Sequence, residues 1–146
     1  MTDTTQPAGD SELRTAEAGP PSSEKLQSAL YRIAETASAA EDMPAFYAAI
    51  HEIVGELMDT DNFYIALYDD RRGLVNYPFY RDTVDDDPPD PGVWEAIGTG
   101  QAAGFTGYAL RHGTPMRLER DAQDALIRQE ELTMLGVPAQ AWLAAP

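Results

Sequence analysis

The stretch DNFYIALYDDRRGLVNYPFY, residues 61–80, decides the fold of this chain. It contains two runs rich in aromatic and β-branched residues, 63–68 and 74–80, joined by the polar segment 69–73, which ends in a glycine. Two such runs around a short glycine-containing loop predict a β-hairpin. Side chains alternate between faces along a strand, so each face of the first run receives three apolar or aromatic residues: Phe63, Ile65 and Leu67 on one, Tyr64, Ala66 and Tyr68 on the other. We therefore expect the hairpin to be covered on both sides, at the centre of a sheet, with helices on one face and another layer or a cavity on the other.

Two helices are predicted before the hairpin. The first spans 24–39 after a capping serine, Ser22 or Ser23, and its narrow apolar stripe suits packing against one other helix: Leu26, Leu30, Ile33 and Ala37. The second begins at Asp42, which caps it, with Pro44 in its first turn. Its apolar face is wide and continues to Met58, so we expect this helix to lie flat on the sheet.

After the hairpin the chain is rich in proline, glycine and aspartate. Residues 81–91 contain three prolines and five aspartates and predict a solvated loop; a calcium site is disfavoured because no glycine separates the carboxylates. The segment 98–104 differs by one residue in spacing from the glycine pattern of dinucleotide-binding loops. The remaining interpretations of this segment are a flexible lid or a plain connector. The remaining predicted elements are a short helix over 93–97 around Trp94, a helix over 107–112 capped by Thr106, a strand over 116–118, a helix from Asp121 to about Leu132, and a strand over 141–145.

Length and composition limit the classes of protein. The 146 residues divide into a leader, 1–23, whose composition predicts disorder, and one domain, 24–146. The net charge of −15 disfavours binding to nucleic acid or to anionic lipid. The chain has no cysteine, no secretory signal and no apolar run long enough to insert into a membrane, so we expect a cytoplasmic protein. Because it ends inside an apolar run, we expect either a domain cut short or a last strand completed by another chain.

The order of helices, hairpin, loop and short helices resembles a GAF domain. The residues that carry the resemblance are 53–58, reading IVGELM, the following 60–69, reading TDNFYIALYD, and the segment 107–115, reading GYALRHGTP. The likeness is to the sensory GAF modules of bacterial sensor histidine kinases and diguanylate cyclases. It implies an α+β fold: an antiparallel sheet with long helices on one face and, on the other, a ligand pocket covered by loops and short helices. The last two strands and the closing helix of a GAF domain have no counterpart here.

The resemblance implies a regulatory module, not an enzyme. Such a module would bind an unidentified small molecule or relay a signal by a change in helix packing. Its output would be a kinase, cyclase or phosphodiesterase domain beyond residue 146. Aromatic and nearby residues of the hairpin and its cover are the pocket candidates: Tyr64, Ala66, Tyr68, Tyr77, Phe79, Trp94, Phe105 and Tyr108. The alternative is a ligand-free homodimerisation or scaffolding module that uses the first helix, with Leu26, Leu30 and Ile33 at the interface.

No cofactor follows from the sequence. The Asn-Lys-Phe-Asp-Glu signature of GAF domains that bind cyclic nucleotides is absent, and without cysteine neither a bilin linkage nor methionine sulfoxide reduction is available. Some GAF domains bind haem through histidine, but for His51 and His112 a structural role is favoured. No metal-ligand cluster and no nucleophile paired with a base is recognisable.

Overall fold

The structure is a computed structural model that describes residues 20–84, 86–134, 136–137 and 139–146. This part of the chain is α+β, with four α-helices, one 3₁₀ helix and five strands: α1 Ser23–Ala39, α2 Met43–Gly55, β1 Phe63–Asp69, β2 Leu74–Arg81, β3 Trp94–Ala96, the 3₁₀ helix Gly100–Ala103, α3 Phe105–His112, β4 Met116–Glu119, α4 Arg120–Arg128 and β5 Ala141–Ala144. Strands β1, β2 and β3 form one antiparallel sheet in that order, and β4 and β5 form a second antiparallel pair. The predicted leader lies outside the described residues as far as residue 19.

The two N-terminal helices begin where their capping residues predict. The side chains of Ser22 and Asp42 each accept a hydrogen bond from the main-chain N–H three residues further on, at 3.3 Å and 2.7 Å. The helices α1 and α2 pack against each other, and α2 also contacts β2. Because α2 ends at Gly55, Met58 lies in the turn after the helix and not on its apolar face, and it is 49% exposed.

The predicted hairpin is present and contains a β-bulge. The pairing register shifts between two cross-strand pairs, Ile65 with Phe79 and Leu67 with Asn76. As a result Ala66 of β1 lies opposite two residues of β2, Tyr77 and Pro78. A bulge tolerates a proline inside a strand because the missing N–H is not needed there for the ladder.

The hairpin is covered along most of its length, but the end of β1 next to the loop is open to solvent. Residues 63–66 are half-buried, and Val75 and Tyr77 are fully buried. Leu67 and Tyr68 are 38% and 44% exposed, so the prediction of complete cover is wrong for these two residues. The centre of the sheet is β2, while β1 lies at the edge of the sheet formed by the described residues.

The predicted helix over 93–97 is wrong, because Trp94–Ala96 is the strand β3. It pairs with the first residues of β2, Leu74 with Ala96 and Asn76 with Trp94. The side-chain amide of Asn76 also donates hydrogen bonds to the carbonyl oxygens of Pro91 and Val93, at 2.8 and 2.7 Å. The edge of β2 therefore selects an extended conformation for a segment whose own residues do not determine it.

The predicted ends of two later helices also differ. The helix α3 begins at Phe105 with Gly104 as its N-cap, so Thr106 lies in its first turn and does not cap it. The helix α4 begins at Arg120 without a side-chain cap and ends at Arg128. Glu130, with φ of 59°, turns the chain out of the helix, so the predicted end near Leu132 is wrong. The predicted strands near 116–118 and 141–145 are confirmed as β4 and β5.

Candidate functional site

The bulge sorts the aromatic residues of the hairpin onto two faces. On the α2 face, the ring of His51 lies 5.3 Å from the rings of both Phe63 and Phe79. Its Nε2 donates to the carbonyl oxygen of Thr60 at 3.0 Å, which leaves the imidazole inside an aromatic cluster between helix and sheet. Phe79 therefore lies on the opposite face from the predicted pocket, because the extra residue at the bulge reverses the alternation between Tyr77 and Phe79.

The other face, which we call the tyrosine face, is formed by Tyr64, Tyr77 and Tyr80. The ring of Tyr64 lies edge-on to that of Tyr77, with centroids 5.7 Å apart, and is stacked on that of Tyr80 at 5.8 Å. Aromatic pairs at these separations stabilise a core beyond the area that they bury. The sheet thus places three phenol rings side by side on the face away from α2.

The tyrosine face is covered by the 3₁₀ helix and α3. Val75, Tyr77 and Ala102 form a buried cluster, and Ile97 and Leu110 pack against it. Gly107 of α3 lies so close to the 3₁₀ helix that a Cβ there would collide with the carbonyl oxygen of Ala102. The two parts of the cover, α3 and the 3₁₀ helix, are therefore packed tightly against each other.

The hydroxyls under this cover are unequally satisfied. The hydroxyl of Tyr64 forms a hydrogen bond with Thr106 Oγ1 at 3.0 Å. The hydroxyl of Tyr77 is buried and has no hydrogen-bond partner among the described residues. Burial raises the pKa of both phenols; the Thr106 side chain offsets part of that effect for each of them, and the Trp142 side chain does so for Tyr64. Both phenols therefore remain protonated at neutral pH, and within the described ranges only the hydroxyl of Tyr64 has a hydrogen-bond partner.

The eight pocket candidates are not brought together as one group. Tyr64, Ala66 and Tyr77 meet in the cluster just described. Tyr68 and Trp94 are 44% and 41% exposed. The rest lie elsewhere: Phe79 on the α2 face, Phe105 stacked on Trp142 at 5.0 Å, and Tyr108 against the ring of His112 at 4.1 Å.

Sequence reasoning missed three residues of the tyrosine face and its cover: Ala102, Thr106 and Leu110. The sequence predicts that the hydroxyl of Thr106 caps a helix, the usual role of a threonine before a short helix. The two others lie in a glycine-rich segment and on a short helix, neither of which indicates its partner in the sheet.

Two clefts lie between the N-terminal helices. One, of about 190 Å³, is lined by α1 and by Glu56 and Leu57. The other, of about 510 Å³, lies where α1 turns into α2 and is lined by three acidic residues, Glu35, Glu41 and Asp42, with alanines and Phe46. None of the eight pocket candidates lines either cleft.

The outer side of α1 presents exposed apolar side chains. Ala29 faces α2 and is buried, whereas Leu26, Leu30 and Tyr31 are 43%, 67% and 70% exposed. Ile33 is half-buried, so of the three predicted interface residues two are open to solvent. An exposed apolar stripe along a helix is typical of a surface that packs against another helix.

Other kinds of site have little support among the residues described. No group of three or more metal-ligating side chains was found there. None of the helices described is long and apolar enough to cross a membrane. Comparison with known proteins adds no assignment: no family model, no curated protein and no solved structure matches the chain.

Proposed function

We propose that this chain is a regulatory, GAF-like sensory module that binds a small molecule on the tyrosine face and passes the signal to an output domain outside these residues. The observation that carries the proposal is the covered cluster of Tyr64 and Tyr77 with Thr106, because it places hydroxyl groups and aromatic rings together in a buried position. Binding sites for small molecules combine apolar and aromatic walls with a few oriented polar groups. The order of elements, with two helices before a covered hairpin, supports a GAF-like arrangement.

The test is a thermal-shift screen of nucleotides, haem and metabolites. A ligand that binds only the folded protein raises its melting temperature by mass action. At a ligand concentration of one hundred times the Kd, the free energy of unfolding rises by about 2.7 kcal/mol. A hit is then measured on two variants, Tyr64→Phe on the tyrosine face and Tyr68→Phe at an exposed position. We expect weaker binding for the first variant only. Silence across the screen would transfer support to the second candidate function.

The second candidate is a homodimerisation or scaffolding module without a ligand. It is favoured by the exposure of Leu26, Leu30 and Tyr31 on α1, because side chains of this kind are normally buried. Two copies packed along this stripe would cover it, as in a two-helix seam.

Sedimentation of two charge variants tests the second candidate. Leu30→Glu places a carboxylate in the seam, and Val137→Glu is a matched control because Val137 is also 67% exposed but lies off α1. Both variants add the same charge, so a general increase in repulsion affects them equally. We expect a dimer for the wild type and for Val137→Glu and a monomer for Leu30→Glu. A dimer that survives Leu30→Glu would exclude α1 as the interface.

A further inference from the structure

One buried hydroxyl, that of Tyr77, has no hydrogen-bond partner in the part of the chain that the structure describes. Tyr77 is 3% exposed, and its hydroxyl lacks a hydrogen-bond partner. Buried polar groups are nearly always paired, because leaving one unpaired costs about 1–3 kcal/mol. The hydroxyl of Thr106 lies near both phenols and lowers the pKa of each, but among the described residues it is within hydrogen-bond geometry of the Tyr64 hydroxyl only.

The missing group is a hydrogen-bond acceptor. A phenol that stays protonated has one proton to donate, and burial keeps Tyr77 protonated. Tyr64 and Thr106 already share a hydrogen bond at 3.0 Å. A carbonyl, amide or hydroxyl oxygen of a bound molecule would take the proton of Tyr77 without disturbing that pair.

The charge around the tyrosine face is unfavourable to anions. The carboxylate that acts on Tyr77 is that of Glu95, whose Oε1 accepts a hydrogen bond from the N–H of Ala102 at 2.9 Å. The guanidinium of Arg111, on the covering helix α3, donates a hydrogen bond to the carbonyl oxygen of Glu131 at 3.1 Å. A buried carboxylate or phosphate would therefore lie near the like charge of Glu95, and burying a charge without a partner costs several kcal/mol.

We propose that Tyr77 is the hydrogen-bond donor for a small uncharged molecule that carries an acceptor oxygen, bound between the tyrosine face and α3, and that this site rejects carboxylates and phosphates. The inference rests on the proposed function and specifies the chemical class of its ligand. Because Val75, Tyr77 and Ala102 are at most 3% exposed, the molecule enters only when the cover of the 3₁₀ helix and α3 shifts.

Three probes with one ring and different substituents test the chemistry: benzamide, benzoate and toluene. Benzamide offers an uncharged acceptor oxygen, benzoate a charged one, and toluene none. Binding is measured by titration and thermal shift on the wild type and on Tyr77→Phe, which keeps the ring but removes the hydroxyl. We expect only benzamide to bind the wild type at millimolar concentration. Its affinity for Tyr77→Phe should fall about tenfold, equivalent to about 1.4 kcal/mol.

The protein without a probe provides an independent readout. If the hydroxyl is unpaired in the free protein, Tyr77→Phe leaves the melting temperature unchanged or raises it, because an unsatisfied group is removed. A lower melting temperature would mean that a buried water already satisfies the hydroxyl, and would overturn the inference. The control is Tyr64→Phe, which breaks the hydrogen bond with Thr106 and should lower the melting temperature.

Failure of this inference differs from failure of the proposed function. The inference is overturned by benzoate binding as tightly as benzamide, by benzamide binding equally to wild type and Tyr77→Phe, or by no binding of benzamide at all. None of these results contradicts the proposed function. That proposal loses its support only if the broad screen of nucleotides, haem and metabolites also finds no ligand.

Discussion

The amide of Asn76 provides the sharpest test of how β3 is held on the sheet. Asn76 is 4% exposed, and its Nδ2 donates to the carbonyl oxygens of Pro91 and Val93 at 2.8 and 2.7 Å. In the variant Asn76→Asp, a carboxylate of nearly the same size replaces the amide and its two donated protons. Its oxygens then face two carbonyl oxygens in a buried position.

The expected loss follows from these contacts. Each hydrogen bond contributes about 1 kcal/mol, so removing both costs about 2 kcal/mol. Burial of a charge without a partner adds to this cost, and we expect a total loss of about 3 kcal/mol at neutral pH. For a domain of this size that lowers the melting temperature by about 10 °C.

The loss should depend on pH with a defined sign. Burial beside carbonyl oxygens raises the pKa of the carboxyl introduced by Asn76→Asp above its value in the unfolded chain. The folded variant then binds its proton more tightly than the unfolded one, so its stability relative to wild type improves as pH falls from 7 through the folded pKa towards about 4. The protonated carboxyl is uncharged and donates one of the two lost hydrogen bonds.

The exposed Asn62 is a matched control for the same substitution. Its Oδ1 accepts hydrogen bonds from the N–H and the hydroxyl of Thr83, at 2.8 and 3.0 Å. Asn62→Asp keeps an acceptor oxygen, so we expect stability within about 0.5 kcal/mol of wild type. Urea unfolding of both variants between about pH 4 and 7 measures the difference. Equal losses in the two variants, or a loss in Asn76→Asp that does not change with pH, would refute the reasoning.

Three further predictions concern the tyrosine face and the second sheet. Gly107→Ala should lose about 3 kcal/mol in urea unfolding, because its Cβ would collide with the carbonyl of Ala102; an unchanged unfolding midpoint would show that the cover is loose. Since the pKa values of Tyr64 and Tyr77 are raised on folding, the free energy of unfolding should fall as pH rises above about 10, by up to about 1.4 kcal/mol per pH unit for each phenol. Tyr77→Phe should flatten this slope. An unchanged slope would contradict the raised pKa of Tyr77. Gln123→Met should lose about 2 kcal/mol in thermal unfolding, because the buried amide donates to two main-chain carbonyls at 2.9 and 3.2 Å; a neutral result would mean that those carbonyls find other donors.

The elements predicted well from the sequence are those with local signals. Asp42 caps α2 through a contact only three residues away, and the hairpin is closed by a short loop between two β-prone runs. The left-handed Gly113, with φ of 64°, ends α3 where its glycine predicts. In these cases the residues that determine the conformation lie within one turn or one loop of each other.

The elements predicted poorly depend on distant partners. The strand β3 is extended because the edge of β2 pairs with it, and the amide of Asn76 reaches across 15 and 17 residues to hold it. In the candidate site, alternation along β1 correctly grouped Tyr64 with Ala66, but it could not locate the bulge that moves Phe79 to the other face. Propensity is a weak signal when a tertiary partner selects the conformation.

The two candidate functions are linked through β2. Tyr77 lies on the tyrosine face and Phe79 lies against His51 of α2, with only Pro78 of the bulge between them. Helix α2 in turn packs on α1, whose outer side carries Leu30. A ligand that moves Tyr77 must therefore either deform the bulge or shift α2. If ligand binding and dimerisation both occur, their free energies are coupled. A ligand that increases the affinity of the dimer must then bind the dimer more tightly than the monomer, by the same factor. A ligand on the tyrosine face and a dimer through α1 would therefore be connected through β2 and α2, and evidence for one does not count against the other.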